Sequence, residues 1–385
     1  MKKSKTLLAC LGVLSLSSLA FGFETGGLIS NDTTFKGNDE LKLDQTDTAT
    51  LWGRTALNDD GSSYFVVEGS FKTEYDDGIP NSDDKLKLTL DFSLVKLVLK
   101  QELDEGTLTF SAGRFFNSDL SGIVFAQNAD GVKATYEAAR FELSGYAAYT
   151  GLLNAKNVTI LDDMPPELDS KKVYVLANKY VVGGLTFSLP HIVKSQTISL
   201  EGFGAFGLED DSFNRFYGTL ALSGPLVSPV FYELSSTLGF ANPIDGYDMS
   251  NLSKISITAY PSFKSMSISL NGVYASGKQV SFEAFQGFTS STAAECLSEP
   301  EYSGIAKAGL AATIKPIEQL LLSLSGDAVF SAEKDIEYYG FQYAAALTWQ
   351  VVSDVSMGAS FGQFFGKDNS DDDKTQLKIT ANIAF

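Results

Sequence analysis

Hydrophobic and polar side chains alternate along many short segments of this chain. A period of two places the two sets on opposite faces of a β-strand. The clearest case is the C-terminal segment, where Leu377, Ile379, Ala381, Ile383 and Phe385 alternate with Gln376, Lys378, Thr380, Asn382 and Ala384. The same alternation recurs around residues 65–75, 132–137, 141–149, 254–259, 265–270 and 322–330. These segments approach the length of about 9–11 residues that a tilted strand needs to cross a bilayer.

The separators between the alternating segments are of two kinds. Some are short and turn-like, among them Asn58–Gly61, Ala138–Arg140, Gly224-Pro225 and Lys315-Pro316, and others are long, as at 76–84, 116–129, 153–170, 278–301 and 366–374. Short turns at one end and long loops at the other are typical of membrane barrels. Since lipid cannot satisfy an open sheet edge, such strands must close on themselves.

The division along these separators predicts an all-β, transmembrane antiparallel β-barrel of about 16–18 strands. The first strand is placed near 25–35, and the region 171–195 holds one strand or two. Leu94-Val95 breaks the alternation, which indicates a β-bulge.

The N-terminus has the features of a secretory signal peptide. Three lysines lie among the first five residues, an apolar stretch follows at Thr6–Leu19, and Ala20-Phe21-Gly22 supplies small residues before a cut at Phe23. We therefore predict a signal peptide at 1–22 and one barrel with long extracellular loops at 23–385.

The two cysteines do not change this division. Leu7–Cys10 resembles the box of a lipoprotein, but only four residues separate Lys5 from Cys10, too few for the apolar region. Cys296 then remains alone, so the mature chain has no internal disulfide.

The chain stops on an aromatic residue, Phe385, at the end of its clearest strand. In this the sequence resembles bacterial outer-membrane β-barrels, whose closing strand typically ends in Phe and is read by the assembly machinery. The resemblance implies the outer membrane of a diderm bacterium as location. It also implies the lipid bilayer and the barrel-assembly machinery as partners, with Phe385 as the assembly signal.

A second resemblance lies at residues 110–132. Phe110–Arg114 ends a strand, a polar and aromatic loop follows, and Asp130–Val132 opens the next strand. This layout is similar to that of bacterial porins, in which such a loop can fold inward and narrow the channel. It implies a role for Arg114 at a constriction. Arg114, however, lies on the same strand face as Leu108 and Phe110, which are predicted to face lipid. A position at the membrane rim or beyond a bulge is therefore the alternative.

The polar faces of the predicted strands carry charges of both signs, which remain solvated in a wet lumen and are costly in a dry core. A barrel of 16–18 strands leaves an aqueous channel, whereas about eight strands are filled by side chains. The alternative is a narrow barrel that its own paired charges plug. The predicted pore-lining residues are Glu68, Lys72, Glu74, Arg114, Lys133, Glu137, Arg140, Glu142, Glu201, Asp327 and Lys378.

Composition excludes several functions. A formal net charge of −18 argues against nucleic acid as a partner. His191 is the single histidine, which leaves too little for a catalytic triad or a zinc site, so no enzyme activity, metal or cofactor is expected.

The Gly202–Gly207 match to G-x-G-x-x-G lies in a strand-like run without the helix it needs. The acidic run 368–373 lacks the Gly and distal Glu of a calcium loop.

The expected function is porin-like passive diffusion of small hydrophilic solutes or ions through the outer membrane. One alternative is a transporter of apolar molecules with Phe23–Asp47 as an N-terminal plug. Another is a sealed surface barrel whose loops bind host or matrix partners. A homotrimer would suit a general porin, although the sequence shows no interface signature.

Overall fold

A computed structural model describes residues 23–37, 41–76, 86–158, 160–162, 165–169, 171–209, 213–241, 248–263, 265–278, 282–289, 302–333, 335–367 and 373–385. Its strands are β1 Phe23–Gly37, β2 Leu41–Ala56, β3 Tyr64–Asp76, β4 Leu86–Leu103, β5 Gly106–Ser118, β6 Ala126–Ala138, β7 Glu142–Tyr149, β8 Tyr180–Leu189, β9 Thr197–Gly207, β10 Arg215–Val227, β11 Val230–Ala241, β12 Asp248–Ala259, β13 Ser267–Ala275, β14 Ile305–Ile317, β15 Leu320–Ser331, β16 Glu337–Val352, β17 Val355–Gly366 and β18 Lys374–Ala384. No helix in these ranges is long and apolar enough to cross a membrane.

The eighteen strands form one closed sheet. Each strand pairs antiparallel with its neighbours in sequence, and β1 pairs with β18 as well as with β2, so the described strands leave no open edge. The predicted all-β barrel is confirmed at its upper strand number. The count is eighteen: the N-terminus contributes β1, and the region 171–195 contributes one strand, β8.

The alternation predicted from the sequence separates an outer from an inner face. On β18, Ile379 and Ile383 point outward and are 42% and 49% exposed, while Lys378 and Asn382 point inward. Large apolar side chains are exposed in the same way around the whole wall. A soluble monomer rarely exposes so continuous an apolar band, and a lipid-facing barrel requires one.

The bulge predicted at Leu94-Val95 is confirmed on β4. Against β3, the register shifts between Glu68, which pairs with Leu94, and Ser70, which pairs with Asp91. The extra residue on β4 restores the inward direction of Asp91, so polar side chains face the interior on both sides of the slip.

Prolines mark two further irregularities, near the ends of β10 and β14. The sequence places turns at Gly224-Pro225 and Lys315-Pro316, but the chain turns a few residues later, at 228–229 and 318–319. The registers slip at Pro225 and between Ile314 and Ile317. Proline has no N–H to give to the ladder, so it interrupts pairing without ending the strand.

The connections differ at the two ends of the barrel. One end has tight turns, such as 104–105, 228–229 and 353–354, together with Phe23 and Phe385. The other end has the long connections, above all 150–179 and 276–304. Phe23–Gly37 and Leu41–Asp47 belong to the wall strands β1 and β2 and pair with each other there, so the predicted N-terminal plug is wrong.

Phe385 completes the closure between β1 and β18. Its N–H donates to the carbonyl of Gly27 at 3.0 Å, and its carbonyl accepts the N–H of Gly27 at 2.8 Å. Its ring covers Gly27 so closely that a Cβ there would lie 2.4 Å from it.

We expect Phe385→Ala to lower the amount of folded barrel in the outer membrane. The substitution removes the aromatic ring that packs on Gly27 of β1, where β18 closes the sheet. The measurement is the heat-modifiable, folded fraction in outer-membrane preparations. Phe365→Ala, on the outer face of β17, is the control. Equal folded fractions for the two variants would contradict a special role for the terminal residue.

Candidate functional site

Two connections fold back into the barrel instead of extending from it. They are the β5–β6 loop, Asp119–Phe125, and residues 282–289 of the connection between β13 and β14, here called the β13–β14 segment. The carbonyl of Val124 accepts the N–H groups of Phe288 at 2.8 Å and Thr289 at 3.0 Å. The two connections therefore form one layer across the lumen.

A single carboxylate closes the β5–β6 loop on itself. Asp119 accepts the N–H groups of Ser121 at 2.7 Å and Phe125 at 2.9 Å, and its own N–H donates to the carbonyl of Phe125. An Asp side chain that takes N–H groups further along the chain is a standard way to stabilise a tight loop. Hydrogen bonds within the loop thus fix its shape in addition to its contacts with the wall.

An aromatic cluster holds both connections against one side of the wall. Phe125 stacks on Phe203 of β9 with 5.3 Å between ring centroids and lies 6.1 Å from Tyr146 of β7. Phe288 meets Tyr180 of β8 edge-on at 5.0 Å. The rings of Phe125, Phe288 and Tyr180 are fully buried. The space beside β7–β9 is consequently a packed apolar core and not a water path.

Polar contacts attach the β5–β6 loop to β9 and β12, two strands that are not part of the β5–β6 hairpin. The N–H of Leu120 donates to Glu201 of β9 at 3.0 Å, and Thr186 donates to the other carboxylate oxygen at 2.7 Å. Lys254 of β12 donates to the carbonyl of Ser121 at 2.8 Å. The loop therefore spans the lumen from β5 and β6 to β9 and β12.

The β13–β14 segment has its own anchors on β10. Arg215 donates to the carbonyl of Gly287 at 3.0 Å, and Tyr217 donates to that of Gln286 at 2.7 Å. Arg215 is 1% exposed. The sequence analysis missed this arginine. The sequence feature that could have indicated it is its position two residues before Tyr217 at the start of a strand, which places both side chains on the inner face.

A cavity of about 750 Å³ lies in the lumen between the loop layer and strands β9–β18. Its charged lining residues are two acids, Glu233 and Asp327, and two bases, Lys254 and Lys307. Most of the other polar lining carries hydroxyl or amide groups, from Ser199, Ser223, Ser235, Ser256, Asn271, Ser325, Gln342, Ser360 and Gln376. Such a surface hydrogen-bonds to water and to polar solutes and has no excess of one charge.

Most of the predicted pore-lining charges lie on the inner face and have partners there. Lys72 pairs with Glu74 at 3.1 Å, and Lys378 pairs with Asp32 at 3.1 Å. Other contacts are Ser93 to Glu68 at 2.6 Å and Gln342 to Asp327 at 3.0 Å.

The remaining members of the predicted set have different surroundings. Glu137 and Glu142 are register partners on β6 and β7, and Lys133 lies opposite Tyr146. Glu201 is 8% exposed and serves as an anchor of the β5–β6 loop.

Two arginines of the predicted set do not line the lumen. Arg140 lies in the exposed turn between β6 and β7, because the strand ends at Ala138. Arg114 lies in the wall, where its guanidinium binds both carboxylate oxygens of Asp130, at 2.9 and 2.8 Å, and Asp91 at 3.4 Å. Its outward parity and the neighbouring bulge account for this position.

Arg114 marks the point where β4 and β5 separate. Their pairing ends at Val95 and Arg114, and beyond it the N–H of Leu90 donates to the carbonyl of Val173 in the connection between β7 and β8. Arg114 joins this connection to the wall, since it donates to the carbonyl of Leu152 at 2.7 Å. Beyond Arg114, where β5 continues along β6 alone, the connection between β7 and β8 thus takes the place of β5 beside β4.

Two of the remaining sequence motifs lie in a turn and a strand of the described part of the chain. His191 lies in the turn after β8 with a φ of 58°, and Gly202–Gly207 is part of β9. Among the described residues, no group of three or more His, Cys, Asp or Glu side chains is placed to hold a metal ion. Cys296 and the run 368–372 lie outside the described residues.

A closed barrel of eighteen strands, with an apolar outer wall and loops folded into a polar lumen, is the architecture of a porin-like outer-membrane protein. The chain is similar in fold to the outer membrane protein OpdK from Pseudomonas aeruginosa, with a TM-score of 0.60 over 94% of this chain and 99% of that one, at 10% sequence identity. OccD3 (OpdP) of the same organism gives 0.59 over 94% and 91%, also at 10% identity. OpdK crystallised with vanillate gives 0.61. No family model and no curated protein matches the sequence.

Proposed function

We propose that the mature chain is an outer-membrane channel through which small hydrophilic solutes diffuse down their gradients. The observation that carries this proposal is the polar cavity of about 750 Å³ inside an eighteen-stranded barrel. Barrels of this strand number enclose an aqueous lumen unless loops fill it. Here the loops fill one side, and the cavity lies on the other.

Export and orientation follow from the same proposal. Residues 1–22, outside the described part of the chain, would direct secretion and be cleaved before Phe23, the first residue of β1. The tight turns and both ends of the mature chain would then face the periplasm, and the long connections the cell exterior.

A substrate-selective channel is the second candidate, and the loop layer favours it. Two connections with hydrogen-bonded anchors narrow the lumen, so a solute passes beside a defined surface. OpdK, which shares the fold, was crystallised with vanillate. For this chain, selectivity would come from the four charged residues Glu233, Lys254, Lys307 and Asp327 and from the hydroxyl groups between them.

We expect the refolded mature chain to give stable single-channel steps in a planar bilayer, with a conductance that scales with bulk salt, because ions cross a wet lumen. The control is the same preparation after heat unfolding. Liposome flux of neutral sugars, compared with that of small anions and cations, then distinguishes general from selective diffusion. Folded, inserted protein that carries neither current nor solute would contradict both forms of the proposal.

A further inference from the structure

Arg215 carries a positive charge that its bond to Gly287 does not neutralise. The residue lies on the inner face of β10 and is 1% exposed. Its Nη1 donates to the carbonyl of Gly287 at 3.0 Å, whereas Nε and Nη2 have no hydrogen-bond partner. Among the described residues, Arg54 and Arg114 form ion pairs and Arg215 does not. A full charge and two donor nitrogens are therefore enclosed without an acceptor.

The nearby groups that would compensate this charge are engaged elsewhere. Asp119 accepts hydrogen bonds from within the β5–β6 loop, and Glu201 accepts them from that loop and from β8. Aromatic rings do not replace the acids, since the cation–π contacts of the described residues belong to Arg54 and Lys96. These contacts leave the guanidinium of Arg215 without a counter-charge from the protein.

A buried charge without a counter-ion is strongly destabilising. A buried water molecule would accept the two N–H groups, but it would leave the charge uncompensated. Arg215 is nonetheless one of the two β10 side chains that hold the β13–β14 segment, together with Tyr217. The attachment of this segment to the wall therefore calls for a negative charge at the guanidinium.

The two nitrogens without partners form one edge of the guanidinium, and this edge is the fork that binds anions. Arg114 shows its use in the same protein, because its Nε and Nη2 donate to the two oxygens of Asp130 at 2.9 and 2.8 Å. Beside Arg215, the register partners on the adjacent strands are Ala205 and Ala241. Their methyl groups accept no hydrogen bond and are shorter than the arginine side chain.

We propose that Arg215 holds a small inorganic anion, of the size of chloride or nitrate, between β10 and the β13–β14 segment. The anion accepts Nε–H and Nη2–H, while Nη1 keeps its bond to Gly287. Its charge neutralises the guanidinium and so completes the attachment of the segment to the wall.

This site is separate from the solute path. Arg215 is not part of the lining of the lumen cavity. Because the residue is 1% exposed, the occupant is limited to a few atoms, and a solute with a carbon skeleton is too large. The proposal therefore concerns the fold of the loop layer and does not depend on conductance.

The dependence of stability on the anion tests the site. The refolded mature barrel is unfolded with urea in sodium chloride, sodium nitrate or sodium gluconate at one ionic strength, since gluconate is too large for an enclosed site. We expect the urea midpoint to rise with chloride and to saturate, because an ion that binds only the folded state stabilises it by mass action. Equal midpoints in chloride and gluconate would overturn the proposal.

Arg215→Met separates the site from general effects of salt. Methionine fills much of the same space but has neither the charge nor the N–H groups. We expect the variant to have the same urea midpoint in chloride and in gluconate. Arg54→Met removes a partly exposed guanidinium that pairs with Glu24, and it should keep the chloride response of the parent. A chloride response as large in Arg215→Met as in the parent would place the ion elsewhere and refute the site.

Hydrogen exchange of the unsubstituted protein gives a test that needs no variant to fold. The amides of Phe288 and Thr289 bond to Val124 and report on the β13–β14 segment. We expect replacement of gluconate by chloride to slow exchange in peptides covering 282–289 several-fold and to leave peptides of β18 unchanged. No change at 282–289, or an equal change in both regions, would contradict an ion at Arg215.

Discussion

A variant in which Gly-Gly replaces Leu120–Val124 is expected to pass several times the current of the parent channel. The β5–β6 loop crosses the lumen from its own hairpin to Glu201 and Lys254, so its removal clears space across the barrel. It also removes the Val124 carbonyl that holds Phe288 of the β13–β14 segment. Single-channel recording in planar bilayers, at one fixed salt concentration, measures the change.

The control shortens a connection outside the lumen. Replacing 58–62, in the exposed turn between β2 and β3, by Gly-Gly should leave conductance unchanged. Since a loop deletion can impair folding, Lys254→Met with Glu201→Met provides a milder variant that removes both polar anchors of the loop while every strand is kept. The loop layer would not be the constriction if both lumen variants folded and conducted like the parent.

Arg114→Ala should lower the free energy of unfolding by about 3–5 kcal/mol, the usual cost of removing one member of a buried ion pair. Asp91 and Asp130 lose their cation, and the side chains of all three residues are mostly buried. The connection between β7 and β8 also loses its bond to the wall at Leu152. Urea unfolding of the refolded barrel, followed by tryptophan fluorescence or by loss of the heat-modifiable band, measures the difference.

Arg140→Ala is the matched control, since this arginine lies in an exposed turn, where substitutions usually change stability by less than about 0.5 kcal/mol. Arg114→Lys is informative as well. A lysine keeps the charge but lacks the planar fork that binds both oxygens of Asp130, so we expect partial loss. Equal stability of the Arg114→Ala and Arg140→Ala variants would show that the seam between β4 and β5 does not depend on this network.

The strands of the wall could be predicted from the sequence because the alternation of polar and apolar residues within each strand shows which side chains face lipid and which face the lumen. Ile379 and Lys378 differ in polarity since one meets lipid and the other the lumen, and the difference repeats at every second residue. The break at Leu94-Val95 was visible for the same reason. The first strand was harder to place, because the outward face of β1 includes Asn31 and Thr33 where a lipid-facing strand is expected to be apolar.

The lumen was less accessible, because its contacts join residues far apart in the chain. The β5–β6 loop was expected to fold inward from its porin-like layout, but the β13–β14 segment was not. Nothing in the local sequence indicates that Gly287 meets Arg215 or that Phe288 meets Tyr180. Arg114 was assigned to a constriction in the lumen from the porin-like layout around it, whereas its side chain binds three separate parts of the chain within the wall.

By itself, the sequence determined the strand class and the two faces of the wall, because these depend on a period of two that is local to each strand. Only the tertiary structure decided which charged residues line the lumen and which ones anchor the inward-folded loops. It also decided that Arg114 joins parts of the wall to each other. That outcome depends on closing the sheet into a barrel, which brings β5, β9, β10 and β12 around the same two inward-folded connections.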